Sequence, residues 1–359
     1  YKAMEGNTTG GSNTSLGYYA LAGNTTAGNN VAVGSDALAA NTTGASNVAL
    51  GSSALAANTT ASYNVAVGKG SLQANTTGHS NVGIGLTALA ANTTASYNIA
   101  IGRDALLVNT TGDQNVAVGY QALDANTTAS ANVAVGEQAL GANTTGSHNT
   151  AVGYRTMLVS TIGDDDVAVG SEALKANTEG HNNTAVGRAA MTTNTTGTHN
   201  TAVGQHALYS NTTAGYNTAV GRYAMKANTT GGNNTSMGYV SLRNNTTGTA
   251  NVAIGYSALN NNTTASYNVA IGLNSLNENT TGHSNTAVGY QAFASITTGI
   301  SNIGIGYQVG HYNTAITDGA RNIVIGNYCR TSAAGSDDQI MLGYDVTGSG
   351  DDTFTFGNA

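Results

Sequence analysis

The residues able to do chemistry are few in this chain. Asp164, Asp165 and Asp166 form its one run of three carboxylates, and carboxylate oxygens are ligands for hard cations such as calcium. Three chains meeting on one axis would bring nine such groups together. On a single chain the run reads as a solvated loop variant, where Ser160-Thr161-Ile162-Gly163 replaces the usual turn text. The seven histidines are scattered, and His79, His148, His181, His199 and His283 fall in variable turns, where they read as polar filler. The single cysteine, Cys329, excludes an intrachain disulfide or a cysteine zinc cluster. Serine, histidine and aspartate never recur at a fixed mutual offset, and no G-x-x-x-x-G-K phosphate loop occurs. No catalytic residue, cofactor or resident metal is expected, and the chain does not read as an enzyme.

Other residues recur in rows and could act as surfaces. Tyr120, Tyr154, Tyr239, Tyr256, Tyr290 and Tyr307 follow a glycine, and Tyr63, Tyr97, Tyr216 and Tyr267 precede a β-type segment. Such rows could bind sugars; they also stack on one another and shield a core edge, which is the reading favoured. Asn-Thr-Thr occurs fifteen times in frame and is formally a glycosylation sequon. Sites on adjacent coils would lie under about 5 Å apart, too close for all to carry glycans, so the motif reads as turn chemistry. The threonine rows also raise an ice-binding reading, which the adjacency of the two threonines within a turn weakens.

The composition narrows the classes further. Charged residues are only 8% of the 359, proline and tryptophan are absent, and glycine counts 48. A net charge of −7 with 11 Lys+Arg spread thinly argues against a phosphate-neutralising patch, so nucleic acid is not an expected partner. No run of about 18 apolar residues occurs, so no membrane insertion is expected. The chain begins at Tyr1 without methionine and reads as a processed, truncated or partial product.

These residues are set in a 17-residue repeat, N-T-T-[GA]-x-x-N-[VT]-A-[VIL]-G-x-x-A-L-x-x, copied eighteen times from Asn7 to Tyr312 without an insertion. The organisation is a leader (1–6), the repeats (7–312) and irregular capping coils (313–359), the register slipping by three at Asn313. Fixed-period self-similarity is the mark of a solenoid. The segment N-V-A-V-G reads as a short strand ending at a corner glycine, as at Gly34, Gly51, Gly68, Gly85 and Gly102, where positive φ or close backbone approach is required. The Ala-Leu segment that follows reads equally as strand or as one helical turn per coil. The asparagines opening the strands (Asn30, Asn47, Asn64, Asn81, Asn98, Asn115, Asn132) are expected to form a ladder, each bonding its equivalents above and below.

The fold expected is therefore all-β, a parallel β-solenoid or β-roll of stacked 17-residue coils, eighteen of which would span roughly 85 Å. Alternation puts Val65 and Val67 on one strand face and Asn64, Ala66 and Gly68 on the other. A small-residue face repeated in every coil would let another backbone approach closely, which argues for a parallel homotrimer.

The strand motif, quoted from Asn149-Thr150-Ala151-Val152-Gly153-Tyr154 and from Asn285-Thr286-Ala287-Val288-Gly289-Tyr290-Gln291-Ala292, resembles the head repeats of trimeric autotransporter adhesins (the YadA-like head) and repeats of phage tail-fibre-like proteins. The resemblance covers about 300 residues. It implies a left-handed parallel β-roll in a homotrimer that binds host surface molecules, and for the phage type a self-cleaving C-terminal trimerisation chaperone. The adhesin period is shorter than the one here. The expectation is a structural, extracellular or virion-surface rod for attachment, its partners its own copies and an unidentified receptor or glycan. End-to-end filament assembly and an ice- or glycan-binding solenoid are the alternatives.

Overall fold

In a computed structural model, which describes residues 2–311 and 315–358, all regular structure is β and no helix occurs among the described residues. The chain forms two compact units, Tyr1–His181 and Asn182–Ala359. In the first, three-residue strands recur every 17 residues from β1 (Thr14–Leu16) to β10 (Val167–Val169). Each pairs in parallel with the next and in strict register, so that Val48, Ala49 and Leu50 lie against Val65, Ala66 and Val67. Both units are parallel β-solenoids.

The second unit repeats this from β11 (Thr184–Val186) to β18 (Ile303–Ile305) and then lengthens its strands in β19 (Ile323–Asn327), β20 (Ile340–Tyr344) and β21 (Phe354–Asn358). The pairing stays parallel, Ile303 facing Ile323, Ile323 facing Ile340 and Ile340 facing Phe354, so one coil gains three residues and the last loses three. The gain falls between Gly310 and Ile316, whose amide returns to the Gly310 carbonyl at 3.1 Å. Tyr312 and Asn313, where the sequence places the end of the repeats and the slip, lie outside the described residues.

The Ala-Leu segment is neither strand nor helical turn. Asp36 and Leu38 have φ of 59° and 51°, and equivalent residues in other coils do the same. A backbone broken by left-handed residues at every second position cannot carry an i→i−4 helix. Their amides turn outward to neighbouring coils instead: Asp36 N–H donates to Tyr18 O (2.9 Å), Leu38 N–H to Ala54 O (3.0 Å) and Ala40 N–H to Ala56 O (3.1 Å). A left-handed non-glycine residue costs about 1–2 kcal/mol. Burial of the leucine side chain, complete in every coil where it occurs, returns about 1.5–3 kcal/mol and holds the turn in place. Met157, Met191, Met225 and Phe293 take the same slot in other coils, with φ between 48° and 52°.

The strand faces are also the reverse of a small-residue exterior. Ala66 is wholly buried, while Val65 and Val67 flank it half-exposed; Ile101 is 39% and Leu50 46% exposed. Each coil is too narrow to hold two β-branched side chains. Its interior takes one strand methyl, the Ala-Leu pair of the turns and two asparagines, and the larger strand residues point out.

Where the interior must hold more, neighbours shrink. Phe293, fully buried in the leucine slot, would meet a Cβ on Gly304 at 2.6 Å and one on Gly310 at 2.4 Å, so both glycines make room for its ring.

Candidate functional site

Two asparagine ladders run inside each solenoid unit. In the first, the residues named from sequence bond through backbone as well as side chain: Asn47 N–H donates to Asn30 Oδ1 (2.9 Å), Asn64 N–H to Asn47 Oδ1 (3.0 Å) and Asn81 N–H to Asn64 Oδ1 (2.9 Å). The series continues through Asn98, Asn115 and Asn132 at 2.9–3.0 Å. Each Nδ2 donates to a carbonyl of the next coil, as Asn98 does to Gly112 O at 2.9 Å. The expected amide-to-amide ladder is therefore mainly a side-chain-to-backbone one.

The second ladder was missed in the sequence, because its asparagines open the Asn-Thr-Thr motif and were given to turn chemistry. Here the amides do bond each other: Asn41 Nδ2 donates to Asn24 Oδ1 (3.0 Å) and Asn58 Nδ2 to Asn41 Oδ1 (2.8 Å). Each also donates to the carbonyl three residues on, closing the turn, as Asn41 does to Gly44 O at 2.9 Å. The recurrence of an asparagine at both fixed slots was the available signal.

The places where this column breaks show its logic. Ser160 and Ile296 replace the asparagine, and the preceding members, Asn143 and Asn279, are left with an unpaired buried Oδ1. From Asn24 onward the asparagines of this column are wholly buried. A glycan cannot be added to them in the folded chain. The first threonine of each pair spends its hydroxyl on the next coil, Thr25 Oγ1 donating to Thr42 O at 3.0 Å and Thr42 Oγ1 to Thr59 O at 3.0 Å. That leaves only the second threonine row facing water, which weakens an ice-ordering surface.

The corner glycines answer to both reasons given for them. Gly34 and Gly51 have φ of 133° and 137°, and a Cβ on either would lie 2.6 Å from the carbonyl of the next corner glycine. Gly68, Gly85 and Gly102 repeat the conformation at 126°, 139° and 137°. A side chain there is excluded by backbone, not by a neighbour that could move.

Asp164, Asp165 and Asp166 do not converge. Asp164 Oδ1 accepts the Ser147 N–H at 2.5 Å, Asp165 lies exposed 4.0 Å from His148 Nδ1, and Asp166 turns inward into the asparagine slot, accepting from Asn177 Nδ2 at 2.9 Å. Among the described residues no three His, Cys, Asp or Glu side chains are grouped to hold a metal ion. Cys329 is buried, its thiol bonded to Gly343 O at 3.0 Å and pushed above its ordinary pKa by that burial.

The tyrosines stack and remain open to solvent together. Tyr290 and Tyr307 lie 4.9 Å apart at 14°, and Tyr239 and Tyr256 lie 5.5 Å apart at 23°. Tyr63, Tyr97, Tyr216 and Tyr267 are exposed at positive φ, at the residue before the strand-opening asparagine. The cations are not thinly spread as the composition implied. Arg222, Lys226 and Arg243 all come within 6 Å of the Tyr223 ring, at 4.7, 5.4 and 5.9 Å. His206 stacks on the same ring at 5.4 Å. Burial first, then Arg188, Lys226 and Arg222, hold its pKa below the ordinary histidine value.

Among the described residues no helix is long and apolar enough to cross a membrane. Comparison of the chain with protein-family models and with curated proteins returned no match.

Proposed function

We propose that the chain forms the shaft of an extracellular attachment fibre, of tail-fibre or adhesin type, in which three parallel copies pack their strand faces together. One observation carries this reading. Each strand from β1 to β20 turns two Val, Ile, Leu, Met or Thr side chains outward, β21 turns out Phe354 and Phe356, and in register these make two continuous ribs along each unit. Contiguous apolar patches beyond a few hundred Å² mark interaction surfaces.

The partner favoured is a copy of the same chain, because a rib repeating once per coil is best matched by another rib of the same period. The small residues once assigned to that interface do a different job, filling the coil. Function in this reading is mechanical: buried ladders and in-register pairing resist bending, and repetition sets reach.

Sedimentation equilibrium tests it. The full chain should sediment as a trimer at micromolar concentration, and Ile99→Lys with Ile101→Lys, which plants charges in the ribs, should shift it toward monomer. A wild-type monomer at that concentration refutes the proposal.

A further inference from the structure

The chain is acidic overall, yet from Gly180 to Asn277 it contains no Asp or Glu, and Arg188, Arg222, Lys226 and Arg243 all fall in that stretch. Several cations elsewhere sit on carboxylates, Lys175 on Glu172 at 2.9 Å, Arg103 on Asp104 at 3.1 Å and Arg321 on Asp338 at 2.6 Å, while Arg155 bonds Gln138 Oε1 at 2.9 Å instead. Among the described residues no ion pair involves any of the four. Arg188, Arg222 and Arg243 are exposed and Lys226 is half-exposed.

The repeat sets their geometry. Arg188 and Arg222 both follow a corner glycine two coils apart, which places their backbones roughly 10 Å apart along the stack. Lys226 and Arg243 share another slot, directly after the buried Met225 and Leu242, in adjacent coils about 4.8 Å apart. Tyr223 lies among them, and the row continues from Arg222 into Tyr239 and Tyr256, which are 42% and 53% exposed. The patch is carried by the turns that follow the corner glycines.

Like charges gathered around one ring repel, and no carboxylate offsets them. The cluster therefore works against stability unless an anion completes it. Its form favours a linear one, with acidic groups at about the coil spacing or twice it, and with rings that can lie on tyrosine. Tyr239 and Tyr256 are already stacked on each other, which leaves no slot for a nucleobase between them. Four cations also fall short of the 6–10 phosphate contacts typical of nucleic-acid binding.

We infer that this face of the second unit docks an acidic polysaccharide, its carboxylate or sulfate groups pairing with Arg188, Arg222, Lys226 and Arg243 and its sugar rings lying on Tyr239 and Tyr256. The inference names a receptor class for the attachment fibre and takes its biological sense from that reading. The site itself is complete on one chain, so it stands or falls apart from the trimer.

Titration calorimetry on the full chain in about 0.15 M salt tests it, with heparin octasaccharide, hyaluronan octasaccharide, neutral dextran and a single-stranded oligodeoxythymidine of matched charge as probes. The expected result is binding of at least one acidic saccharide and none of dextran. Arg222→Gln with Arg243→Gln should weaken binding at least tenfold, while Arg103→Gln with Arg155→Gln, in the first unit, leaves it unchanged. Tyr239→Leu with Tyr256→Leu should weaken saccharide binding severalfold without changing the charge. Circular dichroism of these surface variants establishes that each is folded before it is titrated. Absence of saccharide binding, indifference to the double arginine variant, or equal or tighter binding of the oligodeoxythymidine overturns the inference.

Discussion

Replacing Asn98 with alanine isolates what one rung of the inner ladder contributes. Its Oδ1 accepts the Asn115 N–H at 2.9 Å, and its Nδ2 donates to Gly112 O at 2.9 Å. Gly112 O keeps a second donor, Asn109 Nδ2 at 3.0 Å, so it is not orphaned by the change. The Asn115 amide loses its partner at a wholly buried position. An orphaned buried donor costs about 1–3 kcal/mol and the lost bond to Gly112 about 1 more, giving a local loss of about 2–4 kcal/mol. Repeat arrays open locally rather than as one two-state unit, so amide hydrogen exchange is the proper assay. Protection at Asn115 should fall by about 30- to 1,000-fold, since each 1.4 kcal/mol is tenfold. Asn98→Asp keeps an oxygen for that amide, as Asp166 occupies the same slot, and should retain more protection than the alanine variant. Thr94→Ala, at an exposed threonine, serves as the surface control. If Asn98→Ala leaves Asn115 within threefold of that control, the ladder is not what holds the coils in register.

Three further outcomes follow from the same packing. Phe293→Leu should destabilise the second unit by about 1–3 kcal/mol through the space it leaves, and adding Gly304→Ala, harmful alone because its Cβ meets the ring at 2.6 Å, should recover part of the loss; additivity in a denaturation cycle would argue against the compensation. Ser160→Asn with Asp166→Asn restores both columns and gives Asn143 Oδ1 a donor, so the urea midpoint should rise, by about 1–3 kcal/mol of stability; an unchanged or lower midpoint contradicts it. His206 and His311 are held below the ordinary histidine pKa, by burial in both and by Arg188, Lys226 and Arg222 at His206. A histidine that binds its proton less tightly when folded gives stability that is full above about pH 6.5 and lost as pH falls below it. Urea midpoints at pH 7.5 and 5 should show the loss, and His206→Tyr, a residue the same slot holds at Tyr223, should reduce it.

The period, the strand and the corner were legible because each rests on local chemistry. Val65-Ala66-Val67 favours an extended backbone wherever it is placed, and Gly68 permits a φ that no other residue takes readily. The cation cluster escaped because the total of 11 Lys+Arg conceals that four of them share a stretch free of carboxylates. Asp164, Asp165 and Asp166 looked like one group in the text, yet alternation along the backbone sends them in separate directions.

What the amino-acid text determined by itself was repetition, and with it a parallel stack in which like meets like. Which face of that stack lies inside was decided only by tertiary structure. Alternation separates Val65 and Val67 from Ala66, but it cannot say how wide the coil is. The left-handed turns at positions such as Asp36 and Leu38 fold the return path so close to the strand that only Ala66 and its equivalents fit between. The larger side chains are left outside as ribs. The first asparagine of each motif is drawn inward by the same narrowness, so a residue that reads as a turn former becomes a buried rung.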